Sequence, residues 1–123
     1  MQVRREIVLD APVEDVWEAI TDPAQLAVWF ANEVELDVRE GGEGQFRWAN
    51  GETREASIDT VEPPRRLGFT WSGPGEDASR VDLTLEEDAD GATRLTVVES
   101  APEAVAEWSW ALSLRAAALP VRA

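Results

Sequence analysis

The chain has 123 residues, a hydrophobic fraction of 44% and a formal net charge of −14, the size and composition of one domain with a single core. It contains no Cys, His, Lys or Tyr, which excludes disulfides, zinc–thiolate sites, Schiff bases and the commonest general base. So acidic a surface repels phosphate backbones and anionic lipid, so neither nucleic acid nor a membrane is an expected partner. The residues Met1 to Glu6 enter an alternating pattern at once, with no leader-like apolar stretch. No uncharged run approaches the roughly 18 residues of a membrane span, so a cytoplasmic protein is expected.

Val3, Ile7 and Leu9 share one face at period two and predict a strand over residues 2–9. Pro12 then opens a helix in which Val13, Val16, Trp17 and Ile20 form one apolar stripe. Asp22-Pro23-Ala24-Gln25 restarts the pattern with an N-cap, and Leu26, Trp29 and Phe30 form the inner face of a second, short helix. From Glu33 to Glu99 the period is two. Val34, Leu36 and Val38 alternate with acids, Gly41-Gly42 turns the chain, and Phe46 and Trp48 carry the next strand. Asn50-Gly51 signals a hairpin, Ala56 and Ile58 follow in phase, and Pro63-Pro64 ends that strand. Leu67, Phe69 and Trp71 share a face, as do Val81, Leu83 and Leu85; Asp90-Gly91 marks another hairpin before Leu95 and Val97. Pro102 opens a last helix that runs to about Leu119, stopped by Pro120.

The order is strand, two helices, six strands, long helix. Consecutive, tightly turned strands with one apolar face predict an α+β fold, a curved antiparallel sheet with helices on one side. The whole chain, 1–123, reads as one domain.

The inner face and the last helix, with Trp108 and Leu112 on one stripe, are compatible with two arrangements. They form either a packed core or an apolar cavity, and periodicity alone does not separate these. Arg54 and Glu99 lie in phase with the apolar positions around them and should point inward. They read either as a structural pair or rim residues, or as a polar anchor for a ligand. Arg5 poses the same question and reads as a rim residue. Trp110 and Leu114 form a second stripe on the last helix, the pattern of an interface. Glu33, Glu35 and Asp37 alternate on an outer face without any fixed coordination geometry, so no metal site is expected. Nothing calls for a cofactor.

Val16-Trp17-Glu18-Ala19-Ile20-Thr21-Asp22-Pro23, with Leu26 and Trp29-Phe30, resembles the N-terminal signature of the START-like (SRPBCC) superfamily. The branch it most resembles is that of the C-terminal domain of the activator of the heat-shock-protein-90 ATPase. Gly41-Gly42-Glu43-Gly44-Gln45-Phe46, Val61-Glu62-Pro63-Pro64-Arg65-Arg66-Leu67 and Thr93-Arg94-Leu95-Thr96-Val97 continue the match in order. The resemblance implies a helix-grip fold, with a seven-stranded sheet wrapped around a long C-terminal helix and a cavity between them. Trp48, Arg54, Ile58, Phe69, Trp71, Leu83, Glu99, Trp108 and Leu112 are then the candidate ligand-binding residues. The expected function is binding of a hydrophobic or aromatic small molecule. Two alternatives stand beside it. One is a protein-interaction domain, a chaperone partner or a homodimer through Trp110 and Leu114. The other, less favoured because the best acid–base residue types are absent, is a cyclase- or aromatase-type enzyme with Glu99 as the base.

Overall fold

A computed structural model of the protein describes residues 2–100. The predicted last helix, with Trp108, Trp110, Leu112 and Leu114, lies outside the described residues. Within them the chain runs β1 (Gln2–Leu9), α1 (Val13–Thr21), α2 (Pro23–Trp29), β2 (Glu33–Leu36), β3 (Glu43–Arg47), β4 (Thr53–Glu62), β5 (Arg66–Ser72), β6 (Ser79–Glu87) and β7 (Thr93–Ser100). The predicted strand, two helices and six strands are all present in that order.

All seven strands join one antiparallel sheet in the order β1-β7-β6-β5-β4-β3-β2. From β2 to β7 it is a meander, as short connections require. β1 is then added on the far side of β7, with Gln2 opposite Ser100 and Leu9 opposite Thr93. Alternation decides the faces: the inward positions of β3 to β7, from Phe46 to Val97, are buried, while their neighbours in sequence carry most of the charge.

The helices close one end of the inner face. Pro12 leads into α1, whose first turn carries Glu14 and Asp15, where acids favour the helix dipole. Val13, Val16, Ala19 and Ile20 are its buried side. Asp22 caps α2 as its spacing predicts, Oδ1 accepting from the Ala24 backbone N–H at 3.0 Å. Thr93 Oγ1 donates to the Ala11 carbonyl at 2.7 Å and ties the approach to α1 onto β7.

The turns differ in kind. At Asp90-Gly91 both residues take positive φ (58° and 77°), the pairing that suits a tight hairpin. At Asn50-Gly51 only Gly51 does, at 91°, and the loop is wider, closed by Trp48 N–H to Glu52 O and Gly51 N–H to Trp48 O. The hairpin forms where expected but as a longer turn.

Candidate functional site

Four strand ends meet on the inner face, away from the helices. Arg54 stands at the start of β4, Trp71 at the end of β5, Ser79 at the start of β6 and Glu99 at the end of β7. Antiparallel order brings starts and ends together. Trp71 lies opposite both Ala56 and Ser79, and Val81 opposite Glu99.

Arg54 and Glu99 do point inward, and neither is a rim residue: they are 3% and 0% exposed. Arg5, by contrast, is exposed. The Trp71 indole N–H donates to Glu99 Oε2 at 2.7 Å, and Ser79 Oγ donates to the same oxygen at 2.8 Å. Glu99 Oε1 is buried with no hydrogen-bond partner among the described residues. The Arg54 guanidinium carbon lies 4.7 Å from the centre of the Trp71 ring, and its Nη2 reaches Glu76 Oε2 at 3.3 Å. Arg54 pairs with Glu76, and Glu99 acts on Arg54 through its charge.

Burial pushes the Glu99 carboxyl above its ordinary value, because a charge there has lost its water. The hydrogen bonds from Trp71 and Ser79, and the Arg54 charge, oppose that rise. Burial likewise lowers Arg54, against Glu76, Glu99 and Glu52.

Aromatic rings fill the space between this polar end and α2. Phe30 stacks on Trp71 with centroids 5.9 Å apart, and meets Phe46 and Trp48 edge-on at 5.5 and 5.4 Å. Trp48 Nε1 donates to the Phe30 carbonyl at 2.9 Å, which is what lets so large a polar-tipped ring be buried. Phe69 meets Trp71 edge-on at 5.6 Å. Beyond them Ile58, Phe69 and Leu83 line an apolar cavity with Leu26, Phe30 and Leu67. Its volume is about 30 Å³, room for about one water. A much larger groove, about 460 Å³, crosses the outer face between Glu33, Glu35, Arg47 and Glu55, walled by charge.

Of the predicted binding residues, the structure brings Arg54, Trp71 and Glu99 into one cluster and sets Trp48 and Phe69 against it through the aromatic rings. Ile58 and Leu83 line the separate small cavity. Sequence reasoning missed Ser79 and Glu76. Ser79 had a signal, since it is in phase with Val81, Leu83 and Leu85; Glu76, in the β5–β6 connection, had none. Among the described residues no group of three or more acids gathers to hold a metal ion, and no helix is long and apolar enough to cross a membrane.

No curated protein matches the chain. Among solved structures it is similar to DynU16, a protein of the dynemicin biosynthetic locus, at 33% identity and a TM-score of 0.81 over 95% of this chain. The chain spans 46% of the length of DynU16. It is similar to CalU16 from Micromonospora echinospora at 31% identity and a TM-score of 0.74, covering 95% of this chain and 73% of that one. The Aha1 dimer from Colwellia psychrerythraea shares the fold, at 16% identity and a TM-score of 0.81 over 97% of this chain and 92% of that one. The family pattern of activator of Hsp90 ATPase homolog 1-like proteins matches residues 10–113, and the chain belongs to that family.

Proposed function

We propose that the protein is a binding module for a hydrophobic or aromatic small molecule, held against the inner face of the sheet with Glu99 as its polar anchor. The observation that carries this reading is Glu99 Oε1, buried and without a hydrogen-bond partner among the described residues. Such an atom is costly in a native interior and marks a place where a partner is wanted. It stands beside Trp71, within the aromatic group of Phe30, Trp48 and Phe69, the apolar wall with few polar groups that small-molecule sites use. Arg54 holds the Trp71 face. Trp108 and Leu112, the other two candidates, lie outside the described residues. The 30 Å³ cavity is far below the roughly 300 Å³ of a drug-sized site, so binding in this reading requires the inner face to open beside Glu99. DynU16 belongs to a biosynthetic locus, a setting of small-molecule chemistry that agrees with this reading.

Native mass spectrometry of gently purified protein, followed by denaturing extraction, tests it. A discrete extra mass of an apolar compound is the expected result. A bare protein mass, together with unchanged tryptophan fluorescence across lipids, polyketides and aromatic acids at millimolar concentration, overturns it. The same spectrum reads the homodimer alternative through Trp110 and Leu114.

A further inference from the structure

Building on that reading, in which the inner face opens beside Glu99, we infer that the β5–β6 connection, residues 73–78, is a strap over that end of the sheet and that the Glu76–Arg54 ion pair is its latch. The strap joins two residues of the site. Trp71 and Ser79 stand opposite each other in register, one just before it and one just after, and both donate to Glu99 Oε2. The strap has no core of its own: none of its six residues is buried, and Pro74, Gly75, Asp77 and Ala78 are exposed. A backbone bond from Glu76 N–H to Gly73 O, at 3.1 Å, closes it on itself. A gap of about 160 Å³ lies between Ser72, Gly73 and Pro74 on one side and Thr53, Arg54 and Glu55 on the other. The contact that ties it to the sheet is Glu76 Oε2 on Arg54 Nη2, at 3.3 Å, with the two side chains 24% and 3% exposed. Arg54 is fixed in β4, so the half that lets go is the one on the segment without buried anchors.

Gly73 is fitted to that latch. Its φ is not left-handed, so backbone conformation does not call for glycine there. Space does. A Cβ on Gly73 would stand 2.6 Å from Glu76 Oε2 and 3.1 Å from Glu76 Cδ, and the three atoms nearest it are those of the Glu76 carboxylate. The missing side chain is what lets the carboxylate lie over the backbone and reach Arg54. A side chain at residue 73 would push it aside, at small cost to stability because the group that yields is the end of a flexible chain. The Arg54 guanidinium in turn lies over the Trp71 ring, 4.7 Å from its centre. Lifting the strap therefore opens a way from the end of the sheet to the Trp71 ring and Glu99. An ion pair with one partly exposed member also makes the latch responsive to salt.

Hydrogen exchange of the indole N–H groups in the full ¹⁵N-labelled chain, with no ligand added, tests the strap. The Trp71 indole is bonded to Glu99 beside it. The Trp29 indole is bonded to the Ala19 carbonyl at the helix end and serves as the internal reference. Glu76→Ala and Gly73→Ala should each speed exchange at Trp71 by about tenfold or more, the equivalent of one charge-assisted hydrogen bond, and leave Trp29 unchanged. The double variant should exchange no faster than Glu76→Ala, because both substitutions break one contact. In the unmodified protein, NaCl should speed Trp71 relative to Trp29. Equal acceleration of the two indoles means general loosening and overturns the strap. So does an unchanged Trp71, or a Gly73→Ala variant that leaves Trp71 protected while Glu76→Ala does not. Should a variant not fold, the salt response of the unmodified protein decides. These outcomes bear on the strap alone, since the binding reading stands or falls by the bound mass.

Discussion

Glu99 has no solvent contact, and burial raises its affinity for a proton above that of the unfolded chain. The sign of the resulting pH dependence follows. Below the ordinary carboxylate range both states are protonated and the contribution is constant. As pH rises from there through the raised folded value, the unfolded state releases its proton first, so stability is lost with rising pH. Glu99→Gln removes that titration while keeping the shape. The unmodified protein should therefore lose stability relative to Glu99→Gln as pH rises above the ordinary carboxylate range, because burial raises Glu99 in the folded state. Urea unfolding at a series of pH values measures it; a difference that stays flat with pH contradicts a raised Glu99. Both buried charges were legible because each sits in phase with apolar neighbours, Glu99 after Leu95 and Val97, Arg54 before Ala56 and Ile58. Their partners were harder. A serine opening a strand, such as Ser79, has the same pattern whether it faces water or an acid. Glu76 reaches Arg54 only because the connection after β5 folds back over the start of β4, a tertiary fact that no local pattern encodes.

At the scale of elements, the Gly41-Gly42 turn between β2 and β3 does more than reverse the chain. Gly41 N–H donates to the Ile58 carbonyl and Gly42 O accepts from the Ile58 N–H, each at 2.8 Å, so the turn clasps β4 where Ile58 lines the apolar cavity. The two glycines are needed for different reasons. Gly41 has φ +84° with open space where a side chain would point, so Gly41→Ala costs only the left-handed backbone, about 1–2 kcal/mol. A Cβ at Gly42 would be driven into the Asp37 carbonyl oxygen and stand 3.0 Å from that of Arg39. Neither atom belongs to a flexible side chain, so Gly42→Ala is expected to cost about 3 kcal/mol, the upper end of overpacking. Urea midpoints of the two variants give the comparison, and a Gly41→Ala loss larger than that of Gly42→Ala refutes it. The doublet was readable as a turn from its composition. Which glycine is indispensable was not, because the obstacle is a backbone oxygen and the clasped partner is on another strand. The same limit applies at Asn50-Gly51, where the dipeptide marks the hairpin but the backbone bond from Trp48 to Glu52 sets the loop's width.

For the whole molecule the governing quantity is charge. Alternation and turn chemistry made the meander from β2 to β7 legible, yet the pairing of β1 with β7 joins the two ends of the described chain, and no local pattern encodes it. Once the sheet is assembled, the outer face gathers acids with the arginines that partly balance them. Arg80 bridges Asp59 and Asp82 on β4 and β6, and Arg66 lies within 4.0 Å of Asp82. Two salt effects then oppose each other. Exposed ion pairs contribute about 0–1 kcal/mol each, and screening weakens them. The acids outnumber the arginines by 14, and like charges some 20 Å apart repel by about 0.2 kcal/mol per pair in water, a small figure multiplied over dozens of pairs. Unfolding spreads these charges, so the repulsion falls on the folded state. Raising the ionic strength from about 0.01 M to 1 M shortens the screening length from about 30 Å to 3 Å, which removes nearly all of the long-range repulsion but only part of each contact pair. Repulsion therefore dominates, and NaCl should raise Tm by roughly 5–15 °C, a few kcal/mol for a domain of this size. Most of that rise should come below about 0.3 M, where screening acts, rather than growing linearly with salt as a general solvent effect does. A Tm that falls with added NaCl would mean that the arginine pairs of the outer face, and not the excess of acids, set the electrostatic balance of the fold.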